Sequence, residues 1–152
     1  MKHLVDLADV SDREISDMLN LSAYISRNPE YYNQAAAGKI MAALFYEPST
    51  RTQNSFKSAI MRLGGGVIGF DNPDISSVKK GESLKDTINM FSSYSDIIVM
   101  RHFESGIAAK AAEFSSVPFV NAGDGGNLHP TQTLTDLTTL FVEKRLDNLK
   151  IG

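Results

Sequence analysis

Four short runs, Gly38–Tyr46, Val67–Phe70, Asp96–Met100 and Pro118–Val120, alternate with stretches of helical periodicity, and this alternation constrains the fold more than any other feature of the chain. The run at 38–46, GKIMAALFY, is apolar almost throughout, as a strand covered on both faces must be, and Glu47-Pro48 stops it. Ser11 or Asp12 can cap a helix carrying Ile15, Met18, Leu19, Leu21 and Ile25, with Arg27 near its end and Pro29 beyond. A second helical pattern runs from Ser49 to Leu63 through Phe56, Ala59 and Ile60 and closes on Gly64–Gly66. Ser83 or Thr87 opens a third, with Leu84, Ile88, Met90 and Phe91 as its apolar set. A fourth spans about Ser105 to Phe114, and Pro130 is placed as the first residue of a last helix reaching about Arg145. Strands alternating with helices predict an α/β protein: a parallel β-sheet with helices on both faces, three layers αβα, joined by right-handed crossovers. Asp71–Glu82 reads as an exposed loop, Asn121–His129 as a loop because of its Gly and Asn, and Leu149–Gly152 as the start of a further strand.

Composition narrows the function. With 152 residues and 42% of them hydrophobic, the chain can bury a core as one domain, residues 1–152, without disulfides or a structural metal. It has no cysteine, hence no thiol nucleophile, and its three histidines lack metal-ligand spacing, so neither metal nor cofactor is expected. Acidic residues interrupt the N-terminal segment where a secretory signal needs an apolar stretch, and no segment approaches the roughly 20 apolar residues of a membrane span. A cytoplasmic location is the expectation. The net charge of −3 argues against a nucleic-acid or anionic-membrane partner, so any anion site has to be a local cluster.

Such clusters fall where ligands bind in this architecture, beyond the carboxyl ends of strands. Pro48-Ser49-Thr50-Arg51-Thr52 sets three hydroxyls and a guanidinium over the first turn of a helix, where free N–H groups and the helix dipole favour a phosphate. The alternative is a serine cap beside a solvated arginine. Arg101 ends another strand, and His129 and Gln132 lie three apart at the start of the last helix, on one face. Taken singly, Arg101 reads more readily as a surface residue and His129 as a cap or packing residue. Together, two arginines, hydroxyls, an imidazole and an amide, without paired carboxylates or a Ser-His-Asp set, suit holding an anion and polarising a carbonyl. The glycines do not form a nucleotide-binding fingerprint, since the G-x-x-x-x-G-K-[ST] and G-x-G-x-x-G spacings are both absent.

The motifs FYEPSTRT (45–52), RLGG (62–65), KKGE (79–82), VMRH (99–102), NAGDG (121–125) and HPTQ (129–132), in this order, closely resemble the aspartate carbamoyltransferase family over essentially the whole chain. H-P-T-Q in place of H-P-C-Q points to the aspartate rather than the ornithine branch. The resemblance implies a Rossmann-like carbamoyl-phosphate-binding domain of the aspartate/ornithine carbamoyltransferase fold, with an L-aspartate-binding domain expected beyond Gly152. It implies transfer of the carbamoyl group from carbamoyl phosphate to the aspartate amine, giving N-carbamoyl-L-aspartate and phosphate, in pyrimidine (UMP) biosynthesis. By the resemblance, Ser49, Thr50, Arg51 and Thr52 hold the phosphate and Arg101 reaches phosphate and carbonyl oxygen. His129 and Thr52 assist at that oxygen, and Gln132 holds the carbamoyl amide. Ser76 and Lys80 match residues of a loop that enters a neighbouring subunit's site, which implies a homotrimer and leaves room for regulatory chains. Glu47 and Glu82 match residues that organise the site, Glu82 by orienting Arg51. Gln53, Lys57 and Phe103 depart from the family pattern, standing where an arginine, an acidic residue and a proline are usual. The competing readings are a carbamoyltransferase with another amine acceptor and a non-catalytic carbamoyl-phosphate-binding module. The short distance from Leu149 to Gly152 suggests a cut within a longer chain, so the 152 residues alone are expected to lack turnover.

Overall fold

Residues 3–72 and 81–143 are described by a computed structural model in which five strands form one parallel sheet. These are β1 (His3–Leu4), β2 (Ile40–Phe45), β3 (Gly66–Phe70), β4 (Ile97–His102) and β5 (Phe119–Asp124), in the spatial order β1-β5-β4-β2-β3. All four pairings are parallel. The connecting helices are α1 (Asp12–Arg27), α2 (Thr50–Arg62), α3 (Leu84–Tyr94), α4 (Ile107–Phe114) and α5 (Pro130–Glu143), with single 3₁₀ turns at Leu7–Asp9 and Pro29–Tyr32. The expected alternation of strand and helix is therefore present. Ser76, Lys80 and the rest of 73–80, the expected end of the last helix at Arg145, and the strand-like Leu149–Gly152 lie outside the described residues.

The side-chain period of a strand divides β2 between two cores. Ala42, Leu44 and Tyr46 pack with Ile88 of α3 and with Ala108, Ala111 and Ala112 of α4. Met41, Ala43 and Phe45 pack on the other face with Ile60 and Phe56 of α2. Ala42, Leu44 and Phe45 are at most 1% exposed, which explains the unbroken apolar run: a strand covered on both sides offers no face to solvent. At the edge, Gly69 (φ +126°) closes β3 on β2, and a Cβ there would meet the Ala43 carbonyl oxygen. In α3 the inward set differs from the expectation. Met90 is 36% exposed, whereas Thr87 is buried beside Ile88, because 84, 87, 88 and 91 share the stripe that faces the sheet.

Two boundaries are corrected. β4 runs on through Arg101 and His102 rather than stopping at Met100, with Arg101 in register opposite Phe45. Asn121–Asp124, expected as loop, complete β5 and are buried. Composition misled there because the polar groups find fixed partners: Asn121 Nδ2 donates to the Val5 carbonyl (3.1 Å), its Oδ1 accepts from Gly123 N (2.9 Å), and Asp124 Oδ2 accepts from Gly106 N (3.0 Å). The two-residue β1 gave no sequence signal and exists through its pairing with β5.

From β2 the chain steps outward to β3, then returns to place β4 on the other side of β2 and continues to β5. The strand order therefore reverses between β2 and β4. Loops leaving adjacent strands in opposite directions open a crevice at their carboxyl ends, so the residues following β2 and those ending β4 must face one another.

Candidate active site

That crevice is an open cleft of about 1210 Å³ lined by Pro48, Ser49, Thr50, Arg51 and Thr52 at the start of α2, Arg101 of β4, and His129, Thr131 and Gln132 at the start of α5. It brings together every cleft residue expected from the sequence between 49 and 52, with Arg101, His129 and Gln132. Ser55, Phe56, Ala59 and Thr135 complete the wall and were not expected there from the sequence, which marks Phe56 and Ala59 only as the apolar face of their helix. Helical spacing could have found them, since 52, 55, 56 and 59 form one face of α2, and 131, 132 and 135 one face of α5.

The pleat decides which of two adjacent basic residues enters the cleft. Arg101 follows Ile97 and Val99 on the α2 side, whereas His102 follows Ile98 and Met100 on the α3–α4 side. His102 is buried there against Tyr46, its Nδ1 accepts from Glu104 N (3.0 Å), and Phe103 stacks on it with ring centroids 4.3 Å apart. The aromatic at 103 thus covers the imidazole. Burial holds the His102 pKa below the ordinary value, with the charges of Glu104, Asp124 and Glu47 opposing that shift.

Arg101 is held from three sides. Its Nε donates to Glu47 Oε1 (2.5 Å), its Nη1 lies 3.3 Å from His129 Nε2, and Gly123 packs beneath the guanidinium. Gly123 has φ +131°, and a Cβ there would stand 3.1 Å from Arg101 Nη1, so only glycine gives the guanidinium this room. The hairpin-like return of the chain, with Asp124 N donating to the Leu128 carbonyl (3.0 Å), then delivers His129 to the cleft. Burial, reinforced by the Arg101 charge, holds the His129 pKa below the usual imidazole value.

At the head of α2, Ser49 makes no side-chain capping bond and no acidic residue lies in the first turn. Its hydroxyl and the first N–H groups therefore remain available beside exposed Arg51. Gln132 Nε2 donates to Asp136 Oδ1 (3.0 Å) along α5. Glu82 makes no hydrogen bond or ion pair with Arg51 among the described residues. Burial holds the Tyr46 phenol pKa above its ordinary value, with the Thr87 hydroxyl opposing that shift and the Glu82 charge adding to it. Gln53 and Lys57 stand one turn apart on α2 and do not line the cleft. Among the described residues no cluster of His, Asp or Glu could hold a metal ion, and no helix is long and apolar enough to cross a membrane.

The fold is thus a parallel α/β sheet with an open crevice at its switch point, lined by two arginines, hydroxyls and an imidazole. Residues 2–141 match the family described as aspartate/ornithine carbamoyltransferase, carbamoyl-P binding domain, and the chain belongs to that family. It is 53% identical over 153 residues to the aspartate carbamoyltransferase catalytic subunit of Lachnoclostridium phytofermentans, covering 100% of this chain and 50% of the relative. A Clostridium botulinum catalytic subunit of the same description is 52% identical over 152 residues, with 99% and 50% covered. Among solved structures, the catalytic subunit of M. jannaschii aspartate transcarbamoylase superposes with a TM-score of 0.84 at 49% identity, over 94% of this chain and 47% of that one. Trypanosoma cruzi aspartate transcarbamoylase, solved in complex with carbamoyl phosphate and aspartate, gives 0.86 at 38% identity, over 93% and 47%. The chain spans about half the length of the relatives it matches.

Proposed function

We propose that this chain is the carbamoyl-phosphate-binding half of an aspartate carbamoyltransferase catalytic chain. The observation that carries the reading is the convergence of the uncapped head of α2, Arg51, Arg101 and His129 on one cleft. In this reading Ser49, Thr50, Arg51 and Thr52 bind the phosphate with the backbone N–H groups of α2. Arg101, fixed by Glu47, bridges phosphate and carbonyl oxygen; His129 and Thr52 donate to that oxygen; and Gln132 binds the carbamoyl amide. The aspartate amine attacks the carbonyl carbon, the C–N bond forms, the C–O bond to phosphate breaks as the phosphate leaves with its electron pair, and the proton lost by the amine passes to the departing phosphate. Charge grows on the carbonyl oxygen and on the leaving phosphate, and both positions face the cationic wall, so positioning and electrostatics suffice without a covalent enzyme intermediate.

The aspartate site belongs to the part of the protein that the relatives carry and this chain does not span. Ser76 and Lys80 serve a neighbouring subunit in a homotrimer, regulatory chains are a further partner class, and the product enters pyrimidine synthesis in the cytoplasm. Calorimetric titration with phosphonoacetamide, a stable mimic of carbamoyl phosphate, tests the reading. Arg51→Ala is expected to weaken binding by about 1.5–3 kcal/mol, the worth of a charge-assisted hydrogen bond. Unchanged affinity removes Arg51 from the site. Lys80→Ala weakens binding only at concentrations where the trimer forms, so an effect in a proven monomer refutes its role in trans.

A further inference from the structure

Helix α5 carries threonine at 131, 133, 135, 138 and 139. The hydroxyls of Thr133, Thr135, Thr138 and Thr139 each donate to the carbonyl four residues back, at 2.7–3.4 Å, the ordinary course for a helical threonine. Thr131, in the first turn, has no helical carbonyl behind it. Its hydroxyl lies 3.4 Å from Nδ1 of His129 instead. The other ring nitrogen, Nε2, lies 3.3 Å from Arg101 Nη1. A guanidinium only donates, so Nε2 accepts, and in the neutral ring the proton sits on Nδ1 and is donated to Thr131 Oγ1.

The role proposed for His129 needs the opposite arrangement. To donate to a carbonyl oxygen in the cleft, Nε2 must carry the proton, which leaves Nδ1 bare and in need of a donor. A hydroxyl meets both demands, because it accepts from Nδ1–H in one orientation and donates to bare Nδ1 in another. We propose that Thr131 is a positioning residue that stabilises both tautomers of His129, allowing the ring to pass from the Nδ1–H to the Nε2–H form when an anionic ligand draws Arg101 off it. The ligand-bound half of this inference rests on the carbamoyl-phosphate reading; the ligand-free half does not. One proton leaves Nδ1 and another arrives at Nε2, both exchanged with water in the open cleft, so the ring charge is unchanged. At 3.3 and 3.4 Å the two contacts are long for hydrogen bonds, so the Arg101 contact is readily given up to a ligand.

Long-range proton–nitrogen NMR of the histidine-labelled chain reports which ring nitrogen is protonated, with the His129 signals assigned by their loss in His129→Asn. His102 is an internal control for the fold, since its Nδ1 accepts from Glu104 N and fixes the Nε2–H form. The free wild-type chain is expected to show His129 as Nδ1–H, and saturating phosphonoacetamide to convert it to Nε2–H. Thr131→Val is expected to give a tautomer mixture in the free chain and binding about 3- to 10-fold weaker, with His102 unmoved, and Thr131→Ser to restore both. His129 found as Nε2–H in the free wild-type chain, or a Thr131→Val chain with wild-type His129 signals, overturns the inference. Failure of the wild type to bind phosphonoacetamide overturns the carbamoyl-phosphate reading, and the free-chain tautomer and its response to Thr131→Val then decide this inference separately.

Discussion

The head of α1 and the head of α2 solve the same problem in opposite ways. At α1, Ser11 and Glu14 form a reciprocal capping box, and Asp12 and Glu14 set negative charge against the positive end of the helix. At α3, Ser83 caps through Asp86 N in a similar manner. At α2 the serine in the cap position makes no capping bond, and neither α2 nor α5 has an acidic residue in its first turn. The capped ends of α1 and α3 do not line the cleft, whereas the uncapped end of α2 does; α4, which starts at Gly106 without a side-chain cap, lies outside it. A helix that supplies its own anion stabilises itself, whereas one that omits it leaves donors and field for an anion from outside. The remaining cation comes from Arg101 on a different element, held by Glu47 and by the space above Gly123.

The largest expected effect concerns that borrowed cation. Arg101→Ala should weaken phosphonoacetamide binding by about 100-fold or more, because it removes contacts to both the phosphonate and the amide oxygen of the ligand. A loss comparable with that of an exposed arginine far from the cleft, measured by calorimetry, would break the comparison by leaving the helix ends as the sole determinant. Gly123→Ala should lower stability by about 1–3 kcal/mol from its positive φ, and should weaken binding by displacing the guanidinium; urea unfolding and titration separate the two. The two serines provide the direct contrast. Ser11→Ala should cost about 1 kcal/mol of stability and leave ligand binding unchanged, whereas Ser49→Ala should leave stability within about 0.5 kcal/mol and weaken binding. Equal losses of stability in both variants would show that Ser49 is a cap after all.

The smallest effect is a pH dependence. The Ser11 side-chain and backbone bonds hold the Glu14 pKa below the usual carboxylate value. A depressed folded pKa means that the unfolded state binds the proton first, so this contribution is present above the ordinary carboxylate range and is lost as pH falls through it. Amide exchange in the first turn of α1, corrected for intrinsic rate, should therefore accelerate relative to that of α2 between about pH 6 and pH 3. Parallel behaviour of the two helices would remove the distinction.

Much of this was legible in the residues. The run 38–46 and the alternation after it imply a parallel α/β sheet, and the polar residues 49–52, 101, 129 and 132 follow from strand-end placement and line one cleft. Reading failed where chemistry depends on partners distant in the chain. Asn121 looked like a loop residue because nothing local reveals that its amide reaches the Val5 carbonyl. Met90 looked like core because one-dimensional spacing does not say which side of α3 faces the sheet, whereas Thr87 was overlooked because its hydroxyl masks its place in the stripe.

The sequence by itself determined the period of each element, the reversal of charge and apolarity at each strand end, and the inventory of cations and hydroxyls, since these follow from local sterics and side-chain type. Only the tertiary structure decided that Arg101 turns toward the cleft while His102 turns away, that Gly123 makes room for a guanidinium, and that Thr131 meets the free side of the His129 ring. Those outcomes depend on strand register and on the angle at which β5 returns the chain to α5, and both are set by packing among residues far apart in sequence.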